Sequence, residues 1–302
     1  MRLHGLHILL TYTCNYECDH CFVWGSPQQS GTFSLSHLED VLRQAEEVEG
    51  VREIYFEGGE AFLYYPILVE GVRSAKEKGF WTGVVSNGYW ATGLEEACAW
   101  LKPLVAAGLD RLEISSDQYH GNENGSSAEH PAVMAADRLG LDVGTIAVDP
   151  PTGYRDPDDA APGLPLSGGG VMFRGRAVEK LVPMAKGQPW TGLTACPYED
   201  LAEPSRLHVD PFGNLHLCQG LVLGNMFVRP LKEILANGDP HFHPIAGPLI
   251  EGGPRQLVET YDLDHQAEYV DACHLCYAAR SALRQEFPFL LAPDQMYGLV
   301  NA

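Results

Sequence analysis

The stretch "HILLTYTCNYECDHC" (His7–Cys21) decides how this chain is read. It closes an apolar segment, "LHGLHILLTY" (3–12), that has the character of a strand, and runs at once into three cysteines, Cys14, Cys18 and Cys21. A disulfide takes two thiols and a structural zinc site takes four ligands. Three thiolates so close together suit a metal centre with one position left open. Thiolates are soft ligands, suited to iron–sulfur clusters or to zinc. Zinc would need a fourth ligand, and His20 is the nearest candidate.

Outward from this stretch, strand-like and helix-like segments alternate. "SLSHLEDVLRQAEEVEG" reads as a helix with Leu35, Leu38, Leu42 and Ala45 on one face, Ser36 and Glu39 as a capping box, and Gly50 at its end. Strands follow at 51–56, 80–86, 109–115 and 141–148, with helices around 66–78, 94–107 and 131–140 between them. Repeated strand–helix units predict an α/β fold with a parallel sheet and outer helices, either wound open or curved into a barrel; helices of about three turns and short connections fit the second, a partial (β/α)6 TIM-like barrel. In that layout chemistry sits in the loops at the C-terminal ends of the strands. The pattern breaks at 149–170, which is rich in Pro, Gly and Asp. "VMFRG" (171–175) reads as a sixth strand, followed by a helix in "AVEKLVPMA". "RLHVDPFGNLHLC" then reads as a hairpin turning at Pro211–Asn214, and "PLKEILANG" (230–238) as a helix. The boundary falls near residue 185, giving a barrel domain (1–185) and a small C-terminal α+β unit (186–302). No internal repeat or long low-complexity tract is visible.

The chain has 302 residues, with 20 Lys plus Arg against 40 Asp plus Glu, a formal charge of -20. Such a balance argues against nucleic-acid or anionic-membrane partners; by itself it serves solubility. No signal peptide is visible, and no stretch reaches the roughly 18 apolar residues of a membrane span. A cytoplasmic location is expected, where thiols stay reduced and eight cysteines favour metal binding over disulfides.

Four further strand ends carry motifs. "FEGGEAF" (56–62) runs a strand into Gly58-Gly59-Glu60, where two glycines allow a turn and close approach of a ligand, although Gly-Gly alone is also an ordinary loop. "SNGYW" (86–90) and "ISSDQYH" (114–120) read by themselves as a turn and a helix cap. Near the proposed sixth strand, Arg174 and Arg176 suit either a carboxylate clamp or surface salt bridges. Among the remaining cysteines, Cys98 sits in an apolar helix and reads as a small buried hydrophobe. Cys196, Cys218, Cys273 and Cys276 are left as a second set of four, able to close a cluster or a tetrahedral zinc site.

The Cys14-x3-Cys18-x2-Cys21 spacing followed by Phe22, with Gly58-Gly59-Glu60 at the second strand end, resembles the radical S-adenosylmethionine enzyme superfamily. "DPFGNLHLC", "LGN" (223–225) and "PLKEIL" resemble its auxiliary-cluster extension, SPASM, or the shorter twitch; too few cysteines are present for the full form. The resemblance implies a 4Fe–4S cluster held by Cys14, Cys18 and Cys21, whose free iron chelates S-adenosyl-L-methionine. Cleavage then gives a 5′-deoxyadenosyl radical that abstracts hydrogen from substrate. It implies cofactor contacts at His20 (a less usual residue there), Gly58, Gly59, Glu60, Asn87, Ser115 and Asp117, with Tyr119 and His120 nearer the substrate. It implies a second, auxiliary 4Fe–4S cluster on Cys196, Cys218, Cys273 and Cys276, Cys196 being the least regular in spacing. An electron donor such as flavodoxin or ferredoxin is implied as a partner. The leading substrate is a ribosomally made peptide, to be crosslinked, oxidised or epimerised. Because the chain opens on its first strand, without a winged-helix-like segment, a small-molecule substrate (amino acid, sugar or cofactor precursor) stands beside it. A non-enzymatic iron–sulfur or zinc protein is the alternative of a different class. The 149–170 loop is expected to cover the barrel mouth.

Overall fold

The computed structural model describes residues 1, 3–120, 129–151 and 170–299. The expected mouth-covering loop lies almost wholly outside them. Five strands come first: β1 (Gly5–Leu9), β2 (Glu53–Glu57), β3 (Trp81–Ser86), β4 (Arg111–Ser115) and β5 (Asp142–Ile146). Helices α1 (Leu35–Glu46), α2 (Tyr65–Glu77), α3 (Leu94–Ala107) and α4 (Glu129–Leu139) connect them. All neighbouring pairs from β1 to β5 are parallel. After the short α5 (Ala177–Lys180) and β6 (Gln188–Pro189) come β7 (Arg206–Val209), β8 (Asn214–Cys218) and β9 (Leu221–Asn225). β7 lies parallel to β1 on its free side, and β8 and β9 extend the sheet antiparallel, giving the order β5-β4-β3-β2-β1-β7-β8-β9. The sheet is a partial barrel of six parallel strands. Helices α6 (Leu231–Asn237), α7 (Ala246–Tyr261) and α8 (Ala272–Leu283) follow, with β10 (Glu268–Tyr269) paired to β6.

Three expectations are corrected. Residues 171–175 are not a strand; Val171 and Phe173 instead pack with Ala177 and Leu181 in a small separate cluster. The sixth parallel strand is β7, more than thirty residues later. The cap of α1 is Ser34, whose side chain accepts from the His37 N–H at 3.2 Å, and Glu39 bonds Ser74 and Lys78 instead. Leu35 is half-exposed, and the buried face is Leu38, Val41, Leu42 and Ala45.

Alternation along each strand separates two faces. Leu6, Ile8, Ile54, Phe56, Val84, Leu112, Ile114, Leu207 and Val209 meet the helices in one apolar core, where each fully buried Leu or Ile contributes about 1.5–3 kcal/mol. The lumen face is polar. In one register row stand His208, His7, Tyr55, Gly83 and Arg111. Among the described residues, no helix is long and apolar enough to cross a membrane.

Candidate functional site

The loop after β1 is tied down at both ends. Thr11 bridges Thr32, Thr13 bridges Ser26, and the Cys14 N–H donates to the Ser26 carbonyl at 3.0 Å. The end of β2 then pairs onto this loop: the Gly59 N–H donates to the Thr11 carbonyl (2.7 Å) and the Glu60 N–H to the Thr13 carbonyl (2.9 Å). Only glycine fits here. A Cβ on Gly59 would lie 2.3 Å from the Thr13 oxygen, and Gly58 has φ +156° with its Cβ position 2.6 Å from the Thr11 oxygen. Gly25 closes the ring: its Cβ position is 3.2 Å from Cys14 Cβ, 3.3 Å from Gly59 Cα and 3.6 Å from Cys21 Sγ.

Backbone donors point at the sulfurs. The Tyr16 N–H lies 3.4 Å from Cys14 Sγ and the Gly25 N–H 3.2 Å from Cys21 Sγ. Burial pushes the Cys14 thiol up to about 12, with Glu60 and Cys21 adding to the rise. Burial raises Cys18 as well, followed by Cys21 and Cys14. Glu60 is buried and accepts from the Phe62 N–H (3.0 Å), the Ser86 hydroxyl (2.9 Å) and the Asn87 N–H (2.7 Å), fastening the β2 end to the β3 end. Burial lifts its carboxyl to about 7 against those donors. Asn87 donates from Nδ2 to Asn15 Oδ1 at 2.9 Å, with Cys14 Sγ at 3.7 Å.

At the β4 end, Ser115 pairs with Ile146 in register. Asp117 accepts from the Tyr119 N–H (2.9 Å) and the Val148 N–H (3.1 Å), with His120 Nδ1 at 2.7 Å and His20 Nε2 at 3.6 Å. Both its oxygens are engaged within the protein. His20 stacks on Tyr119 with ring centroids 4.8 Å apart, and burial holds it down at about 4, in the neutral form. The residues singled out in the first half of the sequence therefore stand together, on the rim formed by the C-terminal ends of β1 to β4.

The second set of cysteines also converges. Cys196 from the loop before β7, Cys218 at the end of β8, and Cys273 and Cys276 on α8 line one pocket with Leu201, Leu249 and Arg280. Arg174 reaches the same sulfurs, its Nη1 2.9 Å from Cys218 Sγ. Arg174 and Arg280 are buried, and the Nε of each has no hydrogen-bond partner. Arg176 is buried on the other side, donating to the Cys18 carbonyl and the Gly25 carbonyl at 2.8 Å each. Neither Arg174 nor Arg176 is a surface residue, so the salt-bridge expectation is corrected. Cys98 is buried on α3, as expected of a small hydrophobe. Arg280 was not singled out from the sequence, although it follows Cys276 by one helical turn.

Comparison with known proteins agrees with this geometry. Residues 8–121 match the Radical SAM superfamily. The chain is 27% identical over 113 residues to "Putative peptide biosynthesis protein YydG" of Bacillus subtilis (strain 168), covering 37% of this chain and 35% of that one. It is 32% identical over 155 residues to a "Probable GTP 3',8-cyclase" of Saccharolobus solfataricus, covering 48% and 46%. The matches thus span half or less of these relatives. The fold is similar to that of BtrN, solved in complex with AdoMet and 2-DOIA, with a TM-score of 0.51 at 16% identity over 78% of this chain and 83% of that one. Over residues 8–121, which hold the three-cysteine loop and the strand ends of the rim, the chain is similar to the Radical SAM superfamily.

Proposed function

We propose that Cys14, Cys18 and Cys21 hold the 4Fe–4S cluster that the family implies, and that the rim beside them receives S-adenosylmethionine. The observation that carries this is the pairing of Gly59 and Glu60 onto Thr11 and Thr13, which fixes a bare stretch of backbone against the thiol loop. The donor set fits the group: three thiols in one loop, Cys14 and Cys18 with raised proton affinity, and two N–H groups aimed at sulfur are what a cationic cluster satisfies. When bound and reduced, the cluster with S-adenosylmethionine supplies a 5′-deoxyadenosyl radical that takes a hydrogen atom from substrate. Gly58 and Gly59 give the cofactor backbone access, while Glu60 and Asn87 hold the β2 and β3 ends in place. Asp117 acts on the nucleoside side through the rings of His20 and His120 that it faces, and Ser115 lies beside it.

Cys196, Cys218, Cys273 and Cys276 hold a second 4Fe–4S cluster in this reading, within the unit formed by residues after 185. Two observations favour a cluster over zinc. Among the described residues, the sets of three or more His, Cys, Asp or Glu donors within 4.8 Å of one another include no cysteine. Four thiolates around zinc, bound at about 2.3 Å, would stand about 3.8 Å apart. The orphaned Nε groups of Arg174 and Arg280 are also suited to bridging sulfides.

The substrate reading is a ribosomally made peptide, supported by the likeness to a peptide biosynthesis protein. A nucleotide-like small molecule is the second reading, supported by the longer match to GTP 3',8-cyclases. A flavodoxin or ferredoxin serves as electron donor. The test is anaerobic reconstitution with dithionite and S-adenosylmethionine, reading 5′-deoxyadenosine by mass spectrometry. Intact clusters with no 5′-deoxyadenosine would refute the enzyme reading. Mössbauer spectra with about eight irons per chain are expected for two clusters, and about four irons plus zinc would remove the second. Deuterium transfer into 5′-deoxyadenosine from a labelled peptide encoded beside the enzyme, or from a labelled nucleotide, separates the substrates.

A further inference from the structure

The polar lumen holds one group of side chains that the rim does not use. His7 on β1, Glu57 on β2 and His208 on β7 face one another, and one donor atom from each lies within 4.8 Å of the others. His7 and His208 are register partners on neighbouring strands. Glu57 stands immediately before Gly58-Gly59, so the group lies just under the turn that backs the thiol loop. We propose that His7, Glu57 and His208 form a binding site for a divalent cation of the zinc class, in the barrel lumen beneath the rim.

The distances carry the argument. His7 Nδ1 is 3.5 Å from one Glu57 oxygen and His208 Nε2 is 3.3 Å from the other. A charge-assisted hydrogen bond closes to about 2.7–2.9 Å, as His120 and Asp117 do at 2.7 Å in this same molecule. An ion bound at about 2.0–2.2 Å in tetrahedral geometry sets its ligands about 3.3–3.6 Å apart. Each ring nitrogen stands off a different oxygen of the Glu57 carboxylate at a separation longer than such a hydrogen bond, which leaves room for an ion held by the carboxylate and both rings. Two of these donors, His7 Nδ1 and Glu57 Oε1, are buried without a hydrogen-bond partner, while His208 Nε2 has only the long contact of Gln219 Nε2 at 3.5 Å beside it.

Charge points the same way. The buried carboxylate of Glu57 has the rings of His7 and His208 beside it. Arg206 is turned to Glu199 at 3.7 Å. One carboxylate and two imidazoles are ligand types that a divalent ion of the zinc class takes. Three protein ligands leave one coordination position for water or a substrate oxygen.

The inference rests on the fold, not on the radical chemistry, and its test does not use turnover. Cluster-loaded protein is equilibrated anaerobically with Zn(II), desalted, and its zinc and iron are counted. One tightly held zinc per chain is expected above the iron content, with an X-ray absorption edge showing nitrogen and oxygen neighbours only. Glu57→Gln and His208→Asn should each weaken zinc retention more than tenfold while iron content and melting temperature stay put. Wild-type protein that retains no zinc would overturn the site, leaving a hydrogen-bonded His–Glu–His group. A sulfur shell around the zinc, or undiminished zinc in both variants, would overturn it as well.

Discussion

Replacing Arg174 with Met tests the second cysteine site most directly. The guanidinium is buried, its Nη1 lies 2.9 Å from Cys218 Sγ, and its nearest carboxylate, on Glu199, is 3.9 Å away. It is therefore a barely neutralised positive charge beside the cluster proposed on these cysteines, which would gain negative charge on reduction. Taking roughly 6 Å from guanidinium to cluster centre and an effective dielectric of about 20, the interaction is about 3 kcal/mol. For a one-electron couple this is about 120 mV. Loss of the N–H···S contact acts in the same direction. Arg174→Met should therefore lower the midpoint potential of the second cluster by about 100 mV. Arg174→Lys, which keeps the charge, should shift it far less. The assay is a redox titration of the cluster-loaded protein followed by electron paramagnetic resonance, with the first cluster's signal as an internal reference. A shift under about 20 mV, or an upward one, would refute the electrostatic reasoning.

Two further perturbations follow from the geometry. In Gly59→Ala the new methyl would sit 2.3 Å from the Thr13 oxygen and 2.6 Å from the Tyr12 oxygen, so the thiol loop must retreat by about 1 Å. The expected cost is about 1–3 kcal/mol of stability and about a hundredfold in 5′-deoxyadenosine formation; wild-type rates with the melting temperature unchanged would contradict the close approach. His243 is buried: its Nδ1 accepts the Ile245 and Ala246 N–H groups at 3.1 Å, at the start of α7, and Nε2 donates to the Val222 carbonyl at 3.0 Å. Burial lowers its proton affinity, so its stabilising contribution is complete above the unfolded histidine value of about 6.5 and is lost as pH falls through the depressed folded value. Urea unfolding should show the wild type losing more stability than His243→Asn between about pH 7.5 and pH 5.5; parallel curves would show that His243 does not titrate as argued.

The strand–helix core was legible because its signals are local. Alternation of Leu6, Ile8 and Leu10 with His7 marks β1, and Gly108 in the left-handed region ends α3 as read. Misreading began where pairing is distant. "VMFRG" has an apolar run but no neighbouring edge, whereas β7 finds β1 across some two hundred residues of sequence. The cysteine motifs could be named because spacing alone places three thiols in one loop. Burial of Arg174 could not be read, since its partner Cys218 lies far along the chain. Asp117 read as a cap or, by resemblance, a cofactor contact; the bond it accepts from the Tyr119 N–H is local, as a cap would be, but the one from Val148 appears only once β4 and β5 are paired. His7 and Glu57 did carry a signal, as polar residues on a strand face opposite an apolar one, and drew no attention beside the cysteines.

The segment Phe173–Arg176 joins the two cysteine sites mechanically. Arg174 contacts Cys218 and lies over the Phe22 ring, 5.1 Å from its centroid. Two residues later, Arg176 binds the Cys18 and Gly25 carbonyls, and its own N–H donates to the Cys21 carbonyl at 2.9 Å. Between them Gly175, with φ +63°, presses against the Cys21 oxygen, where a Cβ would come within 2.5 Å. A side chain at 175 would therefore drive the first cysteine loop and this segment apart and carry Arg174 with it. The separation of the two sites is set by backbone contacts rather than by flexible side chains. A displacement at one is expected at the other, because Arg174 holds Cys218 Sγ and Arg176 holds the Cys18 carbonyl from either side of Gly175.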